Sequence, residues 1–336
     1  MDKTKIEWAD ASLNPVRARH RETGKIGWFC THASPGCGDS TGGGCYAEAI
    51  NRRLGTGIDY QAQNVSKVEM YLDEKILASP LRWARGRRIF WNSMSDTFGD
   101  FVPDTWIDRM FAVCALTPQH QHLFLTKRAE RMRDYLSYQN YRSPSMPDTV
   151  CEVIGNISGL DPRKTCDSDK PGWPLSNVWL GVSVEDQRRA DERIPLLLET
   201  PAAVRWISAE PLLGPVSLNG GRGWLYGYEE NGIDMTRPVG ERVGACIGRT
   251  PPLDWVVCGG ESGPGARLFS IDWARSIIAQ CREAGVPCFI KQLGARPTAD
   301  DPAKFGNWMM HDRKGGDISE WPEDLRIREY PKSRDG

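Results

Sequence analysis

The sequence predicts a mixed α/β chain built as a complete or partial (β/α) barrel, and three observations carry that expectation. Short apolar runs of strand length alternate with amphipathic stretches of helix length. The apolar runs are nearly continuous, as in a parallel sheet covered on both faces. Nearly every run turns polar at its C-terminal end. In a β/α barrel those ends converge on one mouth, where chemistry is placed. An open doubly wound sheet needs them mainly at one switch point.

The elements follow in order. A first strand is expected within 12–16 or 26–29. Residues 88–96 read as a buried strand ending in Asn92, Ser93, Ser95 and Asp96. A helix over 104–116 has apolar residues at helical spacing, with Asp104 as the expected N-cap. A strand over 122–128 ends in Thr126, Lys127 and Arg128 and leads into a charged helix over about 129–138. Later strands are 177–186, ending in Ser183, Glu185 and Asp186; 204–211, ending in Ser208 and Glu210; 254–262, ending in Gly259, Gly260, Glu261 and Ser262; and 286–293, ending in Lys291 and Gln292. Helices over 187–199 and 272–284 lie between some of them. Stretches of about 139–175 and 217–252 are rich in Gly, Pro, Asn and charge, and read as insertions at the barrel rim. The barrel is expected to occupy residues 1–295, and 296–336 a C-terminal extension whose last residues are disordered.

The chain has 336 residues, of which 40% are apolar, enough for one large α/β domain or two ordinary ones. With 43 basic against 44 acidic side chains, no global field draws it to nucleic acid or to a membrane. Local basic clusters do occur at 17–21, 51–53, 82–88 and 127–133; they suit either phosphate tracking or solvated faces. No stretch reaches the length of a membrane span and the first residues hold no apolar signal segment, so a cytoplasmic location is expected. Most of the ten cysteines should then stay reduced. Cys114, Cys258, Cys281 and Cys288 sit in apolar stretches and read as core. Cys151, Cys166 and Cys246 lie in irregular segments and offer an auxiliary metal site at a spacing that matches no known pattern.

Three other cysteines carry the functional reading. Cys30, Cys37 and Cys45 share one Gly- and Pro-containing loop, with six and seven residues between them. An odd number cannot pair off into disulfides. Three thiolates match three irons of a [4Fe–4S] cluster and leave the fourth iron open to a substrate or cofactor. The alternatives are zinc, with His32 as fourth ligand at spacings looser than structural zinc sites use, or no metal.

At the expected mouth, Glu210 closes a Pro-kinked strand end and Glu261 a Gly-rich one, where backbone amides can approach a ligand closely. Either carboxylate suits an α-amino group or ribose hydroxyls, and Arg267 suits a ligand carboxylate. Both acids also suit pairing with Lys127, Arg128 or Lys291. Lys127 and Lys291 end buried strands and read as ion-paired or substrate-binding, with Schiff-base chemistry as the alternative. Ser95, Asp96, Ser208, Gly259 and Gly260 complete the set of candidate cofactor contacts. No Gly-rich segment matches a dinucleotide fingerprint.

Together, Lys5-Ile-Glu-Trp8, Asn14-Pro-Val16, Ser34-Pro-Gly-Cys37, Cys45-Tyr-Ala-Glu48, Asn92-Ser-Met-Ser-Asp96, Leu125-Thr-Lys-Arg128, Trp179-Leu-Gly-Val-Ser-Val-Glu185, Ser208-Ala-Glu-Pro-Leu-Leu-Gly214, Cys258-Gly-Gly-Glu-Ser-Gly-Pro-Gly265 and Lys291-Gln292 resemble a phage and prophage family of three-cysteine, radical-SAM-like proteins. The resemblance runs over about residues 4–295, outside the two insertions. It implies a radical-SAM-like (β/α) barrel with Cys30, Cys37 and Cys45 as cluster ligands. It further implies S-adenosyl-L-methionine (SAM) as cofactor, cleaved to a 5′-deoxyadenosyl radical, and an electron donor such as flavodoxin or ferredoxin. The phage context of the family implies DNA or another nucleic acid as substrate, in base modification or in lesion repair similar to that of spore photoproduct lyase. A target base would be flipped into the barrel mouth. A metal-stabilised nucleic-acid-binding protein and a [4Fe–4S] enzyme that does not use SAM are the competing expectations.

Overall fold

The computed structural model describes residue 4 and residues 6–38, 44–137, 174–218, 223–226, 228–229, 249–250, 252–299 and 310–331. The chain divides into two compact units. The first comprises Met1–His32, Tyr46–Leu180 and Thr200–Ala203, and the second Ala33–Cys45, Gly181–Glu199 and Val204–Gly336.

In the first unit, β1 (Ala11–Leu13), β5 (Arg88–Trp91) and β6 (Gln121–Thr126) pair in parallel, with Ala11 opposite Ile89 and Ile89 opposite His122. Between β1 and β5 the chain builds a separate antiparallel sheet of β2 (Val16–His20), β3 (Ile26–Gly27) and β4 (Val68–Leu72) in the order β3-β2-β4. Helices α1 (Tyr46–Leu54) and α2 (Glu74–Leu77) flank β4 in sequence. Helix α3 (Asp104–Ala115) buries Ile107, Met110, Phe111 and Cys114, an i, i+3, i+4, i+7 stripe. Its N-cap is Pro103 rather than the expected Asp104, which sits in the first turn and still places its charge at the positive end of the helix. Helix α4 (Ala129–Leu136) follows β6 directly.

A polar chain runs through this core. Trp91 Nε1 donates to His122 Nδ1 at 3.0 Å, His122 Nε2 lies 2.9 Å from Thr117 Oγ1, and Thr117 donates to the Val113 carbonyl at 2.6 Å. The Trp91 donor leaves Nδ1 as acceptor, so the ring is neutral with its proton on Nε2. Burial holds the His122 pKa down to about 3.

In the second unit, β8 (Val204–Ala209), β11 (Trp255–Gly259) and β13 (Cys288–Gln292) pair in parallel, with Trp206 opposite Trp255 and Cys288 opposite Val256. Helix α5 (Gln187–Glu199) has the expected bounds, with Pro195 inside it. Helix α6 (Ile271–Ala284) starts at Ser270, whose side chain accepts from Asp272 N, and ends at Gly285, left-handed at φ 68°. Shorter pairs are β9 (Tyr228–Glu229) with β10 (Arg249–Thr250) and β12 (Phe269–Ser270) with β14 (Pro297–Thr298). In the C-terminal extension, residues 310–331 pack along β13. Ile290 N donates to Ile327 O at 2.8 Å, Glu329 N to Cys288 O at 2.9 Å, and Trp321 is buried. Residues 332–336 lie outside the described residues.

With β7 (Val178–Ser183), the strand order of the main sheet is β1-β5-β6-β7-β8-β11-β13. Each neighbour follows in chain order without the reversal that defines a doubly wound sheet. This is the connectivity of a partial β/α barrel. Gly181 on β7 is required by packing, because a Cβ there would lie 2.5 Å from the Trp206 ring. Cys114, Cys258, Cys281 and Cys288 are buried, as expected of core residues. Cys151, Cys166 and Cys246, and most of the two insertions, lie outside the described residues. Among the described residues no helix is long and apolar enough to cross a membrane.

Candidate functional site

The cysteine loop occupies the long connection between β1 and β5. Cys30 belongs to the first unit, Cys37 and Cys45 to the second, and all three thiols are free of disulfides. Cys37 is buried at the end of a short 3-10 turn, Pro35–Cys37; Cys30 and Cys45 are partly exposed.

In the first unit, side chains just past the ends of β5 and β6 fix the backbone around Cys30. Ser95 Oγ donates to Phe29 O at 2.7 Å. Arg128 Nη2 donates to Thr31 O at 2.9 Å and also bonds Thr31 Oγ1, while Arg128 Nη1 donates to Asp96 Oδ2 at 2.8 Å. Asp96 is fully used, for it also accepts from Thr126 Oγ1 at 2.7 Å, Phe98 N at 2.9 Å and Lys127 N at 3.1 Å. Burial pulls the Arg128 pKa down, but the Asp96 carboxylate and the Cys30 sulfur raise it further, so a fixed cation stands beside Cys30. Two residues on, His32 Nδ1 lies 3.4 Å from Gln61 Nε2, while its buried Nε2 lies 3.3 Å from Glu48 Oε2 without a hydrogen bond to it. Glu48, almost fully buried, also accepts from Tyr60 N at 2.7 Å.

In the second unit, side chains past the ends of β7 and β11 fix the stretch that carries Cys37 and Cys45. Ser34 Oγ donates to Glu185 Oε1 at 2.7 Å, and Arg193 Nη1 donates to Glu185 Oε2 at 3.0 Å. Gly36 lies against the same carboxylate; a Cβ there would sit 2.4 Å from Glu185 Cγ. Glu261 accepts from Arg267 N at 3.0 Å, Arg267 Nε at 2.9 Å, Arg267 Nη2 at 3.1 Å and Gly44 N at 3.1 Å. Arg267 Nη1 reaches on to Pro35 O at 2.9 Å. Burial raises the Glu261 pKa, but the bonds from Arg267 and Gly44 outweigh it and bring the carboxyl below its ordinary value.

The Gly-rich turn after β11 therefore serves an internal ligand. Positive φ at Gly263 (99°) and Gly265 (77°) folds the chain back so that Arg267 meets Glu261. Gly259 and Gly260 are needed by the neighbouring strand, since a Cβ on Gly260 would lie 2.5 Å from Leu293 O. Ser208 is buried, and its carbonyl accepts from Val184 N at 2.8 Å. Of the expected pairings, Glu210 meets Lys291, whose Nζ donates to Glu210 Oε1 at 2.5 Å, both side chains being partly exposed. Glu261 meets Arg267 instead of Lys127, Arg128 or Lys291.

A family model described as a protein of unknown function, DUF5131, matches residues 3–321. The chain belongs to the DUF5131 family. No curated protein and no solved structure matches it. The DUF5131 match takes in all three cysteines and every side chain that grips their loop. Among those side chains, Glu48 and Glu185 were absent from the expected site residues. The sequence signal existed for both: Glu48 closes the Cys45-Tyr-Ala-Glu motif, and Glu185 stands at a polar strand end like Asp96 and Glu261.

By chemistry, cysteine thiols with a cation beside one of them suit iron or zinc. Zinc would need a fourth ligand, and both nitrogens of His32 already face Glu48 and Gln61. Among the described residues no group of three or more His, Cys, Asp or Glu is ready-made to hold a metal. Residues 39–43 of the loop lie outside those described.

Proposed function

We propose that this DUF5131 chain is a radical-SAM-like iron–sulfur enzyme acting on nucleic acid, in base modification or lesion repair. The observation that carries the reading is the use of the strand-end polar residues. Side chains after β5, β6, β7 and β11 grip a loop bearing three cysteines, and that loop lies in the connection between β1 and β5 of a sequentially ordered parallel sheet.

Cys30, Cys37 and Cys45 would each bind one iron of a [4Fe–4S] cluster. When bound, such a cluster would supply one-electron reducing chemistry to SAM. The chain's own residues do the rest. Arg128 holds Thr31 and keeps positive charge at Cys30, which offsets the charge of a thiolate-bound cluster. Glu185 and the Glu261–Arg267 pair hold Ser34, Pro35 and Gly44. Ser95, Asp96, Glu261 and Arg267 thus act on the cofactor through the loop. The Glu210–Lys291 pair, with Lys291 Nζ donating to Glu210 Oε1, is the polar group offered to SAM or substrate. Lys127 closes β6, and its backbone amide is anchored on Asp96. Flavodoxin or ferredoxin would supply the electron in the cytoplasm.

The test is anaerobic reconstitution followed by EPR of the reduced protein with and without SAM, beside a Cys37→Ala control. A [4Fe–4S]+ signal that shifts with SAM and vanishes in the control is expected. A cluster signal indifferent to SAM would replace this reading with a cluster enzyme of another kind. Zinc in place of a cluster would overturn it and promote the metal-stabilised nucleic-acid-binding protein.

A further inference from the structure

The β3-β2-β4 sheet has two unlike faces. Val16, Ala18 and Val68 are buried on one. On the other, alternation places Arg17 and Arg19 of β2 opposite Tyr71 and Glu69 of β4, with Ile26 of β3 beside Arg19. The ladder continues beyond β2, where Arg21 N donates to Lys67 O at 3.0 Å, so Arg21 and Lys67 extend the same face. Both are exposed.

The cations on this face are held by rings rather than by carboxylates. The Arg17 guanidinium lies 4.4 Å from the Trp28 ring centre, and Arg19 lies 5.4 Å from that of Tyr71. Arg19 meets Glu69 at 3.3 Å with both side chains about half exposed, a weak surface pair. Among the described residues Arg17, Arg21 and Lys67 make no ion pair. In a chain of net charge −1, a small sheet face with three cations outside any ion pair and one carboxylate is a locally basic field.

We infer that this face binds single-stranded nucleic acid, with Arg17, Arg21 and Lys67 on phosphates and Tyr71 stacking a base. An acidic protein surface would match the charge but has no need of aromatic rings interleaved with the cations. Single strands need both, because every base has a π-face and every linkage a charge. The inference rests on the nucleic-acid part of the proposed function and adds a binding surface distinct from the cysteine loop.

The experiment is fluorescence anisotropy of the full chain with a labelled 12-nucleotide oligodeoxythymidine and its RNA counterpart, over a series of salt concentrations. Removing three phosphate contacts in Arg17→Ala/Arg21→Ala/Lys67→Ala should weaken binding at least about 10-fold and flatten the log K against log salt slope by about 2. Arg21→Ala/Lys67→Ala, confined to exposed side chains, should flatten it by about 1.4 and covers the case in which the triple variant melts early. Tyr71→Ala should bind about 10-fold more weakly, and Tyr71→Phe, which keeps the ring, within about 2-fold of the parent. Parent-like affinity and slope in the charge variants would overturn the inference while leaving the proposed substrate class standing. No binding of either oligonucleotide by the parent chain, or binding of an acidic protein such as flavodoxin alone, would overturn both.

Discussion

Replacing Glu261 with Gln tests whether the acid after β11 is a structural clamp. The carboxylate accepts four N–H bonds, three from Arg267 and one from Gly44, and its side chain is 8% exposed against 11% for Arg267. An amide keeps the shape but turns one acceptor oxygen into a donor facing donors, and leaves the guanidinium without its anion. Breaking one side of such a pair costs about 3–5 kcal/mol. Residual exposure at the sheet end puts this case near the lower figure, about 3 kcal/mol, or roughly 5–10 °C in melting temperature. The assay is thermal unfolding by circular dichroism at pH 7 and pH 3, for Glu261→Gln, Arg267→Met and the double variant. Removing both partners should cost much less than the sum of the single losses. The folded Glu261 pKa lies below its ordinary value, so the contribution is present above about 4.3, the unfolded value, and is lost as pH falls through the folded one. The gap between parent and variant should therefore narrow as pH falls below about 4.3. A single-variant loss under about 1 kcal/mol at pH 7, or strictly additive losses, would refute the clamp.

The remaining predictions bear on the loop and the core. Arg128→Met, which strands the buried Asp96 carboxylate and releases Thr31, should lower iron retained after reconstitution and alter the EPR line shape, while Arg128→Lys should recover part of both; unchanged spectra in both variants would dismiss Arg128 as a positioning residue. Gly36→Ala, which drives a methyl to 2.4 Å from Glu185 Cγ, should destabilise the fold by about 1–3 kcal/mol, measured by urea unfolding, and a neutral result would mean the turn has room to shift. His122 titrates at about 3 when folded against an ordinary 6.5, so the folded state binds fewer protons and stability should fall by about 1.4 kcal/mol per pH unit as pH drops below 6.5. His122→Asn should remove that increment from the slope, and an unaltered slope would show that the histidine is not the titrating group.

Much of the fold was legible because strand and helix leave local marks. The runs before Asn92, Ser183, Ser208 and Gly259 are continuous, apolar and of strand length, and Gln187–Glu199 is bounded as expected. The β3-β2-β4 sheet was not legible. Arg17-Ala18-Arg19 carries a strand's alternation, but its small inward residues leave little apolar signal, and a basic outer face reads as a charge cluster. At the site, the residue types were legible but their partners were not. Arg267 reads as a receptor for a foreign carboxylate, and only the turn at Gly263 and Gly265 reveals that Glu261 is the carboxylate it holds. Glu185 and Ser34 are 151 residues apart, a pairing that topology creates and no local pattern can announce.

The anchors of the cysteine loop also set an order of events. Ser34 waits for Glu185, Gly44 for Glu261 at a separation of 217 residues, and Pro35 for Arg267 at 232. The loop is therefore among the last parts of the fold to be secured. Contacts so distant in sequence form late and all together, once the strands that carry them have paired. A peptide cut from residues 28–48 would reproduce the thiols without their geometry. The geometry of the three cysteines is thus a property of the completed fold and not of the loop alone.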